Sequence, residues 1–161
     1  MSHSTPQNAV FTPCGRALSC ASCAMNLITV HHDIRLLTVR ATSFPEGVPD
    51  AFARVTSRSS RRRAPILYGI SKPDRHGVIR YQAGLEATSS RQQGPPGWRV
   101  RVLRKGVYAT VTVRGWRKRL DTISGVFASL LRHPQCDPAS PCIEVYRSPS
   151  VLVCMIRLTS S

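Results

Sequence analysis

Pro141-Cys142-Ile143-Glu144-Val145-Tyr146-Arg147 reads as a short strand whose positions alternate with a period of two. On that parity Ile143 and Val145 face one side of a sheet, and Cys142, Glu144 and Tyr146 face the other. A carboxylate in mid-strand is unusual, because strands disfavour Glu and an unpaired buried charge costs several kcal/mol. On a solvent face, Glu144 is an ordinary surface residue or the partner of an arginine such as Arg80 or Arg147. In a groove lined with aromatics, it is a fixed negative charge open to a cationic or hydrogen-bonding guest.

Working upstream, the run between Arg117 and His133 carries Leu120, Ile123, Phe127 and Leu130 on one helical stripe, and Pro134 ends it. Before it, Val107, Ala109, Val111 and Val113 alternate with Tyr108, Thr110, Thr112 and Arg114, a half-buried strand. Val151 to Leu158 closes the chain as a further strand. The first half has the same order. Asp33 to Thr42 is a β-branched strand, Val48, Phe52 and Val55 share a helix face, and Ile66–Ile70 with Val78–Ala87 forms a hairpin. Thr88 to Gly97, rich in Gly, Pro, Ser and Gln, is a linker between the halves.

Aligning the halves, at about 33–88 and 98–158, sets Pro65-Ile-Leu-Tyr-Gly-Ile70 against Pro141-Cys-Ile-Glu-Val-Tyr146, with Tyr68 opposite Glu144. The expected fold class is α+β: duplicated βαββ half-domains forming one antiparallel sheet, with two helices on one face and a ligand groove on the other. Glu144 and Tyr68 are then expected to converge near a pseudo-twofold axis. Residues 1–30 show no sustained period and are expected to be a flexible leader, leaving 31–161 as the folded domain.

The 161 residues suit one domain, and 42% apolar content argues against wholesale disorder. No apolar run approaches the ~20 residues that span a bilayer, and no secretory signal opens the chain, so a cytoplasmic protein without a membrane partner is the default. The formal charge is +15. Its arginines are dispersed rather than gathered in one stripe, which makes nucleic acid a secondary partner. Six cysteines include Cys20-Ala-Ser-Cys23, but no second ligand pair of matching spacing follows, so no metal and no cofactor are expected. No Ser/His/Asp triad, phosphate loop or H-E-x-x-H motif is present.

Lys105-Gly-Val-Tyr-Ala109, Val113-Arg-Gly115, the helix after them and Ile143-Glu-Val-Tyr146 together resemble the GyrI-like effector-binding domain, of the SOUL-like superfamily. Leu67-Tyr-Gly-Ile70 and Tyr81-Gln-Ala-Gly-Leu-Glu86 extend the resemblance, which covers roughly Leu36 to Leu158. That domain also occurs fused to AraC-type and MerR-type bacterial transcription regulators. No helix-turn-helix is legible here, so the stand-alone form is expected. The resemblance implies a duplicated βαββ fold that binds varied small molecules, often lipophilic cations, with a glutamate matching Glu144 as anionic anchor among aromatics. Some relatives are described as gyrase modulators, and some hydrolyse cyclopropane-containing toxins using a glutamate with tyrosines.

The ligand-binding residues expected are therefore Glu144, Tyr68, Tyr108, Tyr146 and Trp116, with Trp116 closing one end of the groove. The ligand is an amphipathic small molecule, with a cation as the family-based option. A hydrolase reading makes Glu144 the general base. Monomer and homodimer both remain open.

Overall fold

The computed structural model describes residues 24–59 and 64–159. The greater part of the leader, Cys14, the Cys20–Cys23 pair and the Arg61 to Arg63 run lie outside the described residues. Eight strands form: β1 (Asn26–Val30), β2 (Ile34–Arg40), β3 (Leu67–Pro73), β4 (Ile79–Glu86), β5 (Arg99–Leu103), β6 (Gly106–Arg114), β7 (Cys142–Ser148) and β8 (Val151–Arg157). Helix α1 (Val48–Thr56) precedes β3, and α2 (Leu120–Leu130) precedes β7. Strand β1 lies inside the stretch assigned to the leader. Its backbone groups pair with β6, which gives this short segment its ladder.

The strands make one antiparallel sheet in the order β1-β6-β8-β7-β3-β4-β2-β5. That order maps onto itself when β1 to β4 exchange with β5 to β8. Each half is thus ββαββ rather than βαββ, and each lends its first strand to the far edge of the other. Strands β3 and β7 meet at the centre of this twofold relation.

The edges β1 and β5 sit at opposite ends of the sheet, yet β1 joins β2 through residues 31–33 and β5 joins β6 through Arg104 and Lys105. Such short connections require the sheet to curl until its ends meet. Asp33 clasps the two turns: its carboxylate accepts from the Arg104 guanidinium and from the Lys105 backbone N–H, each at 2.8 Å. Those donors, the backbone N–H first, hold the Asp33 carboxyl below its ordinary range.

Strand parity divides the apolar side chains between the two faces. Inside the curl, Leu36, Tyr68, Leu103, Tyr108, Ile143 and Met155 form one core that joins strands from the edges and the centre. Outside, α1 packs Ala51 and Val55 over Val39, Tyr81 and Ala83, while α2 packs Phe127 and Leu130 over Val111, Leu152 and Ile156. Burying each of these larger apolar side chains stabilises the fold by roughly 1.5–3 kcal/mol. Both helices lie on the outer face, as expected. They leave the outer surface of the central strands β3 and β7 between them.

Candidate functional site

Glu144 occupies that central position. It is the third residue of β7, its side chain points outward, and it is only 9% exposed. Directly across the ladder is Gly69 of β3. A methyl group at Gly69 would lie 2.6 Å from Glu144 Oε2 and would overlap the Tyr81 hydroxyl. The missing side chain is what lets Tyr81 reach across from β4.

Two phenols meet at the carboxylate. Tyr81 donates to Glu144 Oε2 at 2.5 Å, and Tyr146, two residues along the same strand face, donates to the same oxygen at 2.6 Å. These lengths fit charge-assisted O–H···O⁻ bonds. The two hydroxyl oxygens are themselves 3.5 Å apart. Among the described residues, Glu144 has no ion pair: Arg80 pairs with Asp74, Arg104 with Asp33, and Arg157 with Asp137.

Aromatic rings wall this centre from both helical sides. Phe52 of α1 meets the Tyr146 ring edge-on at 5.1 Å, and Phe44 stacks on Tyr81 at 5.7 Å with its own ring nearly half exposed. From the other side Trp116, in the 3₁₀ turn ahead of α2, packs edge-on against Tyr146 at 5.0 Å. The Trp116 indole Nε1 is buried and has no hydrogen-bond partner among the described residues. A buried donor of that kind calls for an acceptor from a guest or a solvent molecule.

Burial raises the proton affinity of Glu144 above that of an ordinary glutamate, and the hydrogen bonds from Tyr146 and Tyr81 act in the opposite direction. Burial and then the charge of Glu144 drive the Tyr81 and Tyr146 hydroxyls far up, so both remain donors. Cys142, on the same strand face, has its thiol pushed up to about 11, chiefly by burial. It is a neutral side chain at ordinary pH.

The sequence-derived residues separate into two groups. Glu144, Tyr146 and Trp116 come together on the outer face. Tyr68 and Tyr108 belong to the inner core instead, which corrects the expected convergence of Tyr68 with Glu144. The cause is register: Glu144 stands opposite Gly69, not Tyr68, and a slip of one residue sends every side chain to the other face. Tyr68 donates to Glu86, and Tyr108 donates to the Arg104 carbonyl at 2.6 Å. The carboxylate is also on the helix-bearing face, whereas the groove was expected on the other. The inner face does hold a cavity of about 680 Å³, but Glu144 does not line it.

Tyr81, Gly69, Phe52 and Phe44 were missed. Two signals pointed to the first pair: Tyr81, Ala83 and Leu85 alternate with Arg80, Gln82 and Glu86, and an isolated glycine within a strand marks a close approach. Among the described residues, no group of three or more His, Cys, Asp or Glu side chains is placed to hold a metal ion. Nor is any described helix long and apolar enough to cross a membrane.

No family model and no curated protein matches the chain. Solved structures do. An integron cassette protein from the mobile metagenome of Vibrio cholerae superposes with a TM-score of 0.61 at 14% identity, over 86% of this chain and 98% of that one. SAV2435, solved with tetraphenylphosphonium bound, gives 0.60 at 12% identity over 85% and 94%. A hydrolase from Listeria innocua gives 0.53 at 10% identity over 86% and 93%. At 10–14% identity, the likeness is one of fold.

Proposed function

We propose that this chain binds an amphipathic, cationic small molecule against Glu144, between α1 and α2. The observation that carries the reading is a buried carboxylate with no ion pair among the described residues, held by two phenols and ringed by Phe44, Phe52, Trp116 and Tyr146. A desolvated negative charge attracts a cation more strongly than one in water, and each aromatic face adds ~0.5–2 kcal/mol. Tetraphenylphosphonium, held by a protein of the same fold, has that chemistry: a delocalised cation inside an aromatic shell. The test is equilibrium binding of tetraphenylphosphonium to the wild type and to Glu144→Gln. Loss of about tenfold or more in affinity supports the anchor role, and equal affinities contradict it.

A second reading rests on the same three side chains. Glu144 can accept a proton, and Tyr81 or Tyr146 can donate a hydrogen bond to a developing oxyanion, which is the equipment of a small-molecule hydrolase. It predicts time-dependent loss of an electrophilic substrate, abolished in Glu144→Gln.

A further inference from the structure

The inner face of the curled sheet presents chemistry opposite to that of the outer face. Its cavity of about 680 Å³ lies within the size range of small-molecule pockets. The floor is apolar, with Ile70, Ile143, Leu103 and Tyr108. The walls carry Lys72, Arg80, Arg101, Arg104 and Arg157; Asp74, Asp33 and Asp137 pair with Arg80, Arg104 and Arg157, which leaves Lys72 and Arg101.

Lys72 and Arg80 are direct cross-strand neighbours on β3 and β4, an arrangement of like charges that weakens a sheet. Asp74 offsets Arg80 at 2.6 Å. Among the described residues, Lys72 donates only to the Ala139 carbonyl, at 2.5 Å. From the edge strand β5, Arg101 reaches the Gln82 amide oxygen at 3.2 Å, and like Lys72 it has no ion pair among the described residues. Arg157 adds a buried Nε that has no hydrogen-bond partner among the described residues. Unneutralised cations and an unsatisfied guanidinium N–H surround an apolar floor, which is a site short of an anion.

We propose that this cavity binds a small organic anion with an apolar body, such as an acyl carboxylate or an aryl sulfonate. The acidic group meets Lys72 and Arg101 at the rim, and the apolar part lies on Ile70, Ile143 and Leu103. Strand β7 then serves two ligands of opposite charge: Ile143 faces the anion, and Glu144, the next residue, faces the outer site. The two sites are independent, so failure of one reading leaves the other standing.

The test is calorimetric titration of the full chain with laurate and with 8-anilinonaphthalene-1-sulfonate, against dodecanol as the neutral control. Saturable one-to-one binding of both anions but not dodecanol is expected, weakened about tenfold or more in Lys72→Glu and in Arg101→Glu. Circular dichroism checks that the variants fold. The milder Arg101→Gln, expected to weaken binding about threefold or more, replaces any variant that does not. No saturable binding, or affinities unchanged across the variants, overturns the proposal. So does displacement of the sulfonate by a short DNA duplex with a steep salt dependence, which identifies the rim as a surface for polyanions.

Discussion

Gly69 lies directly opposite Glu144 across the central β3–β7 ladder, and the space its side chain would take is filled by the Tyr81 hydroxyl and the Glu144 carboxylate. The pseudo-twofold centre of the sheet is therefore asymmetric at the one place where symmetry would be closest. One half supplies an acid there, and the other supplies room for it.

Gly69→Ala is expected to push these groups apart. Overpacking a buried site costs about 1–3 kcal/mol, offset in part by the better strand propensity of Ala. Denaturant unfolding should show a net loss of stability, and affinity for tetraphenylphosphonium should fall with it. A variant as stable as the wild type with full affinity would mean that the close approach is not required.

Tyr81→Phe and Tyr146→Phe each remove a donor to an ionised group, an interaction worth about 1.5–3 kcal/mol. The Glu144 proton affinity, already raised by burial, should rise further, because both phenol donors favour the ionised form. The pH at which tetraphenylphosphonium binding sets in should move upward in either variant, as read by titrations across pH.

Stability should also depend on pH through this residue. Because the folded Glu144 binds its proton more tightly than the ordinary value of 4.5, protonation favours the folded state. Its contribution is fully present below about 4.5 and is lost as pH rises through the folded value. The melting temperature of the wild type minus that of Glu144→Gln should accordingly fall across this window. A difference independent of pH would show that burial does not perturb the carboxyl.

At the closure of the sheet, Asp33→Asn should lower the melting temperature by loosening the clasp between the β1–β2 and β5–β6 turns. The Asp33 carboxyl is held below its usual range, so its contribution is present above the ordinary aspartate value and fades as pH drops through the lowered one. The gap between wild type and variant should narrow in acid. Thermal melts at several pH values read this directly.

Much of this architecture was legible because one face of each strand is buried and so writes its parity into the chain. Ile143 and Val145 did face one way and Cys142, Glu144 and Tyr146 the other, and the stripe through Ile123, Phe127 and Leu130 did mark the packed side of α2. Leu120, on the same stripe, is the first residue of the helix and is exposed. The register between β3 and β7 was not legible. Parity says which residues share a face within one strand, but the pairing of two strands remote in sequence follows from how both halves pack. That one-residue difference moved Tyr68 away from Glu144 and brought Tyr81 in. The role of β1 was hidden for a related reason: its ladder partner β6 belongs to the other half.

The central claim is most directly tested by a crystal structure of the chain with tetraphenylphosphonium. The account predicts the cation within contact of the Glu144 carboxylate, its phenyl groups against Phe52, Trp116 and Tyr146 between the two helices. Ligand density confined to the inner cavity, or none beside Glu144 at saturating concentration, would contradict it.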